Sequence, residues 1–112
     1  MYQDRTVLCG SSKYTRKFYL NEDFNGLPQG IQDDLKILCV IFTEEVGGTI
    51  QLVFDEEGQL SIETDADEED ILYDEIGAAL KVKQYQIERR ELFESLEMYY
   101  KVFCLGMAFE EA

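Results

Sequence analysis

Between Asp55 and Glu75 the chain carries 11 carboxylates and no basic residue, and no other stretch has residue types that invite a chemical reading. The sharpest reading is a divalent-cation site, because Asp65-x-Asp67-x-Glu69 imitates the start of an EF-hand loop. Hard cations take several oxygen ligands, and the EF-hand supplies them at fixed positions around a sharp turn. The imitation then breaks down. The sixth position is Asp70 where glycine is needed, and the twelfth is Ile76 where a bidentate Glu belongs. Asp65, Asp67, Glu68, Glu69 and Asp70 remain the candidate metal ligands, set against a solvated helix start whose carboxylates suit the helix dipole. A second reading is mimicry of nucleic acid, in which a strip of carboxylates along a hairpin and helix enters a basic groove on another protein.

Other chemistries find less support. The chain has no His, so neither a Cys nor a Ser has an imidazole to activate it. Gly47-Gly48 and Gly77 fit neither a dinucleotide fingerprint nor a P-loop. The usual Cys/His zinc sets are unavailable to a chain with three cysteines and no His. Close carboxylate pairs arise by chance among 24 acids, and nothing marks one pair for acid–base work. The expectation is therefore a protein that is not an enzyme and holds no cofactor.

Cys9, Cys39 and Cys104 are odd in number and widely spaced, which argues against a disulfide framework and for a reducing compartment. Cys39 and Cys104 lie among apolar neighbours and are expected to be small buried hydrophobes. The formal charge of −14 disfavours nucleic acid and anionic membranes as partners, because both require Lys or Arg to neutralise charge. The start of the chain has no signal-peptide pattern, and the longest apolar run is Ile37 to Phe42, far short of the roughly 20 residues of a membrane span. A cytoplasmic protein is expected.

The elements that would position these residues begin with a segment unlike the rest. Residues 1–20 are basic, with Arg5, Lys13, Arg16 and Lys17, and suit an arm lying against an acidic body. The pieces 6–9 and 14–20 flank Gly10-Ser11-Ser12, and the second reads as a half-buried strand or a short helix. Phe24 and Leu27 are expected to anchor a loop. A helix over 28–47 follows, opened by Pro28 and closed by Gly47-Gly48. Its stripe is Ile31, Leu35, Leu38, Cys39, Phe42 and Val46, but over 37–42 its polar face disappears, and a helix apolar all round must be covered all round.

Residues 49–64 alternate as Ile50, Leu52, Phe54, then Leu60, Ile62 around a turn with Gly58, which describes a β-hairpin. Residues 68–105 are expected to be helical, with Asp65 or Asp67 as N-cap and Ile71, Leu72, Ile76, Ala79 and Leu80 as the buried stripe. The polar run 81–90 suggests a bend or break. The last helix, roughly 88–105, buries Leu92, Phe93, Leu96, Tyr99, Tyr100 and Phe103, with Glu97 and Lys101 as a supporting pair. Residues 107–112 read as a short frayed tail.

The strings KFYLNEDFNGLP, LCVIFTEEVGG, DADEEDILYDEIG and ELFESLEMYYKVFCLG resemble a family of small acidic bacterial proteins of unknown function. The resemblance runs from about Lys17 to Gly106 and carries over no activity, substrate or site residue; it implies a stand-alone intracellular domain. The chain as a whole, 1–112, is expected to be a single α+β domain. A hairpin, three-stranded if the N-terminal segment joins it, packs on a central buried helix, with one long or two consecutive C-terminal helices behind. The expected function is a non-catalytic protein-interaction or regulatory module that associates with itself or with a basic protein. A divalent-cation-binding protein and an acidic nucleic-acid mimic are the alternatives.

Overall fold

The computed structural model of the chain describes residues 5–106; the tail expected over 107–112 and the first four residues of the basic segment lie outside them. Strands β1 (Thr6–Ser12) and β2 (Lys17–Leu20) are followed by a single 3-10 turn, Glu22–Phe24, and helix α1 (Gln29–Val46). Strands β3 (Thr49–Phe54) and β4 (Leu60–Asp65) come next, then helices α2 (Glu75–Glu88) and α3 (Arg90–Phe103). The fold is α+β: one antiparallel sheet in the order β2-β1-β3-β4, with helices on one face.

Alternation in the hairpin places its apolar residues as the period of two requires. The register sets Leu52 opposite Ile62 and Phe54 opposite Leu60, on the side that meets the helices. Gly58 closes the turn at φ +85°. The N-terminal segment does join the sheet, and it contributes two strands rather than one. β1 runs through Gly10-Ser11-Ser12, and the turn falls later, at 13–16, with Arg16 at φ +57°. A short helix over 13–20 does not form. A bulge at Leu8 shifts the β1–β3 register between Val7 and Cys9. Asn21 closes it, donating its backbone N–H to Leu8 and its side-chain amide to the Val7 carbonyl, at 2.9 and 2.8 Å.

The core is built where α1 crosses β1 and β3. Leu35, Leu38, Cys39, Phe42 and Val46 form the buried stripe of α1, against Leu8, Cys9, Ile50 and Leu52. Ser11 and Thr43 bring hydroxyls into this contact and satisfy each other at 3.1 Å. Phe24 and Leu27 are buried as anchors. Phe24, Phe54 and Tyr100 stack, the last two with centroids 4.2 Å apart and planes 6° apart, and the Tyr100 hydroxyl meets Thr6 Oγ1 at 2.9 Å. α3 is thereby fixed to the sheet.

The expectation of a central helix covered on every side is not met. Ile37 and Ile41 are 56% and 41% exposed, because α2 lies beside α1 and leaves its outer flank open. The helical region does break, at Arg89, which joins α2 to α3 with a non-helical φ of −111°. It begins later than expected, at Glu75 instead of residue 68, and its N-cap is Asp74, not Asp65 or Asp67. Cys104 is exposed at the end of α3, so it is not a core hydrophobe, and Phe103 is exposed beside it. Glu97 does not pair with Lys101 across a turn; its Oε2 accepts the backbone N–H of Leu60 at 2.8 Å, tying α3 to β4.

The basic segment lies within its own acidic fold. Arg5, just before β1, pairs with Glu63 of β4, and Lys13, in the turn after β1, pairs with Glu44 of α1, all within the same chain.

Candidate interaction surface

The acidic residues fall on the segment that leads from β4 into α2, and three contacts give this segment its shape. Gly47 and Gly48, at φ +85° and +66°, turn the chain out of α1, and the Tyr73 ring lies directly over Gly48. A Cβ on Gly48 would stand 2.8 Å from that ring and 2.3 Å from the Asp65 carbonyl oxygen. The Asp74 backbone N–H reaches the Val46 carbonyl at 3.2 Å, which pins the start of α2 to the end of α1. Asp74 then caps α2, its Oδ1 accepting the Gly77 N–H at 2.8 Å, as an N-cap carboxylate does for otherwise unsatisfied amides.

Tyr14, in the turn between β1 and β2, supplies the third contact. Its hydroxyl donates to Asp70 Oδ2 at 2.6 Å and accepts the Asp67 N–H at 2.9 Å. The hydrogen bond to Asp70 pushes the Tyr14 phenol above its usual range, since ionisation would set two negative oxygens against each other. Two successive turns, Asp70 N–H to Asp67 and Tyr73 N–H to Asp70, complete the segment.

The five candidate ligands are thus held in one loop but not around one point. Asp65 and Asp70 turn oxygens to their own backbone, accepting from the N–H groups of Ala66 and Leu72 at 2.8 and 3.0 Å. Among the described residues no three His, Cys, Asp or Glu side chains converge as a metal site would require. The carboxylates serve as turn formers, as a helix cap and as a charged surface.

The unexpected feature is apolar. Ile71, Leu72, Ile76 and Leu80, expected to form the buried stripe of α2, are 93%, 87%, 77% and 63% exposed. α2 instead buries Ala78 and Tyr85, with Val82 partly buried between them. Residues 78, 82 and 85 recur at helical spacing, and so do 76, 80 and 87 on the opposite side; the helix has two apolar stripes and the fold uses one. Ile71, Ile76 and Ala79 share a shallow depression with Asp67, Glu68, Asp70 and Glu75, so the apolar side chains sit inside an acidic frame. The sequence signal for this surface was the double stripe, which a single-stripe reading passes over.

The inner side of α2 is held firmly. Tyr85 packs on Phe42 and donates its hydroxyl to the Leu38 carbonyl at 3.0 Å. Burial, with Glu45 adding to it, pushes its phenol up to about 12. Lys81 pairs with Glu45, and Arg89 approaches Asp34 at 3.7 Å, bridging α2 to α1 along its length. α2 therefore presents its outer stripe from a fixed position.

On the other side of α1, Cys9 and Cys39 bring their sulfurs to 3.9 Å in the core. The Cys39 contact and burial both push the Cys9 thiol far up, away from thiolate chemistry. No helix among the described residues is long and apolar enough to cross a membrane.

A family model described as a family of unknown function (DUF6145) matches residues 5–108. No curated protein and no solved structure matches the chain.

Proposed function

The chain belongs to that family of unknown function, and from this premise we propose that it is a non-catalytic interaction module that docks another polypeptide on the outer face of α2 and the loop before it. The observation that carries the reading is the exposure of Ile71 and Leu72 in the loop before α2 and of Ile76 and Leu80 on α2, whose inner face is engaged; Ile71 and Ile76 line one depression. Single exposed apolar side chains need no explanation, but a contiguous group rimmed by polar residues marks an interaction site. The absence of His from the composition supports the non-catalytic part. Its setting is the cytoplasm, which suits three cysteines of odd, wide spacing. Its regulatory role lies in what it holds, whether a second copy or a different protein.

A photo-crosslinking residue at Leu72 or Leu80, compared with one at Gln51 on the opposite face of the sheet, tests the reading in the native host. Polypeptide adducts are expected at 72 and 80 and not at 51. No adduct at 72 and 80, or equal adducts at all three positions, would overturn it.

A further inference from the structure

We infer that the occupant of this surface is a basic amphipathic helix of a partner protein; this rests on the interaction-module reading and specifies its partner. The spacing of the outer stripe speaks for a helix. Ile76, Leu80 and Ile87 stand at steps of four and seven, with Lys83 at the intervening position, and steps of four, three and four repeat the seam of two packed helices. Gly77, Ala79, Gln84 and Gln86 border that seam, small or uncharged side chains that let a second backbone lie close.

Charge selects the kind of helix. The 11 residues from Asp65 to Glu75 include seven carboxylates and no Lys or Arg, more negative charge than one helix N-terminus stabilises. Asp67, Glu68, Asp70 and Glu75 line the same depression as Ile71 and Ile76. A second copy laid here with its α2 parallel would bring this loop toward its own image, and one laid antiparallel would bring the loop toward Lys83 and Arg90 but set the rest of two chains of charge −14 against each other. Like charges brought together at an interface repel, whereas Lys and Arg on an incoming helix gain from the field of this loop. An amphipathic helix with Leu-like residues on its seam and Lys or Arg beside it meets both demands.

The test uses the whole protein and synthetic helices of about 18 residues, somewhat longer than α2. One has Leu at seam positions and Lys elsewhere; the second has Leu and Glu; the third shuffles the Leu/Lys composition so that no apolar stripe remains. Fluorescence anisotropy is expected to show binding of the first alone, weakened about tenfold by the pair of substitutions Ile76→Ser and Leu80→Ser. The triple variant Asp67→Asn, Glu68→Gln, Glu69→Gln is expected to weaken it too, and to flatten its dependence on salt. Unfolding midpoints of both variants verify that they fold.

Equal binding of the shuffled peptide, or no effect of the Ser pair, would overturn the inference by reducing it to charge alone. Preferred binding of the Leu/Glu helix, or sedimentation as a dimer that the Ser pair abolishes, would overturn it as well while leaving the interaction module standing. Failure of the crosslinks at 72 and 80, or equal adducts at 51, removes both.

Discussion

The hydroxyl of Tyr14 stands 2.6 Å from Asp70 Oδ2 and takes the Asp67 N–H from the other side, so one side chain from the first hairpin closes the acidic loop 56 residues later. Through this contact the turn that follows β1 shapes the surface that precedes α2. Tyr14→Phe keeps the ring and removes the hydroxyl. Its expected effect is local: faster amide hydrogen exchange at Asp67, with the global unfolding midpoint little changed. Unaltered exchange at Asp67 would show that the two backbone turns hold the loop without Tyr14.

Gly48 is expected to be the most sensitive glycine near this surface. An alanine there carries the strain of a positive φ and also drives its Cβ against the Asp65 carbonyl, which belongs to β4 and has no side-chain freedom to yield. Gly48→Ala should cost on the order of 3 kcal/mol in denaturant unfolding. Gly30→Ala, in open space on α1, serves as its control and should hold or raise stability slightly. Equal effects of the two would rule out the clash.

Tyr85 gives stability a dependence on alkaline pH. Its phenol ionises at about 12 in the fold against 10.0 as the ordinary value, so the folded state holds this proton more tightly than the unfolded chain does. The associated stabilisation is complete below about pH 10 and is lost as the pH rises from there to about 12. Tyr85→Phe removes the titration together with the hydrogen bond to Leu38. The variant should be less stable by about 1 kcal/mol at neutral pH. The gap to the wild-type protein should narrow across that window; a gap constant from pH 8 to 11.5 would contradict the assignment.

The hairpin and α1 were legible because their signals are local and mutually consistent: strict alternation about Gly58, and a stripe bounded by Pro28 and two glycines. β1 was only half legible. Gly10-Ser11-Ser12 has the composition of a turn, and the reasons it continues as strand are tertiary. Ser11 finds Thr43 on α1, and Gly10 sits where a Cβ would come within 2.7 Å of the Ile50 carbonyl oxygen. The start of α2 was misplaced because Asp65, Asp67 and Asp74 are equally good caps by type. What decides among them is the extension of β4 to Asp65 and the clasp of Tyr14, neither of which is local.

The candidate surface was half legible in the same sense. Its carboxylates could be counted, and their failure to imitate an EF-hand loop was visible in Asp70 and Ile76. Its apolar half was hidden by the assumption that Ile71, Leu72, Ile76 and Leu80 belong inside. Burial of apolar residues is a one-way rule, and a helix with two apolar stripes does not say which one the fold will use. Tyr85 decides it: with a large ring and one hydroxyl, it requires a place where both an apolar wall and an acceptor are at hand, and α1 provides Phe42 and the Leu38 carbonyl.

The sulfurs of Cys9 and Cys39 have a practical consequence that the packing alone does not suggest. They belong to the two layers of the molecule, strand β1 and helix α1, and no alkylating reagent fits between them while those layers touch. Cys104, at the exposed end of α3, offers a thiol in the same chain that is open to reagent throughout. The protein thus carries its own stopwatch. Modification of Cys104 marks the arrival of reagent, and modification of the buried pair marks the separation of helix from sheet, with no label introduced from outside.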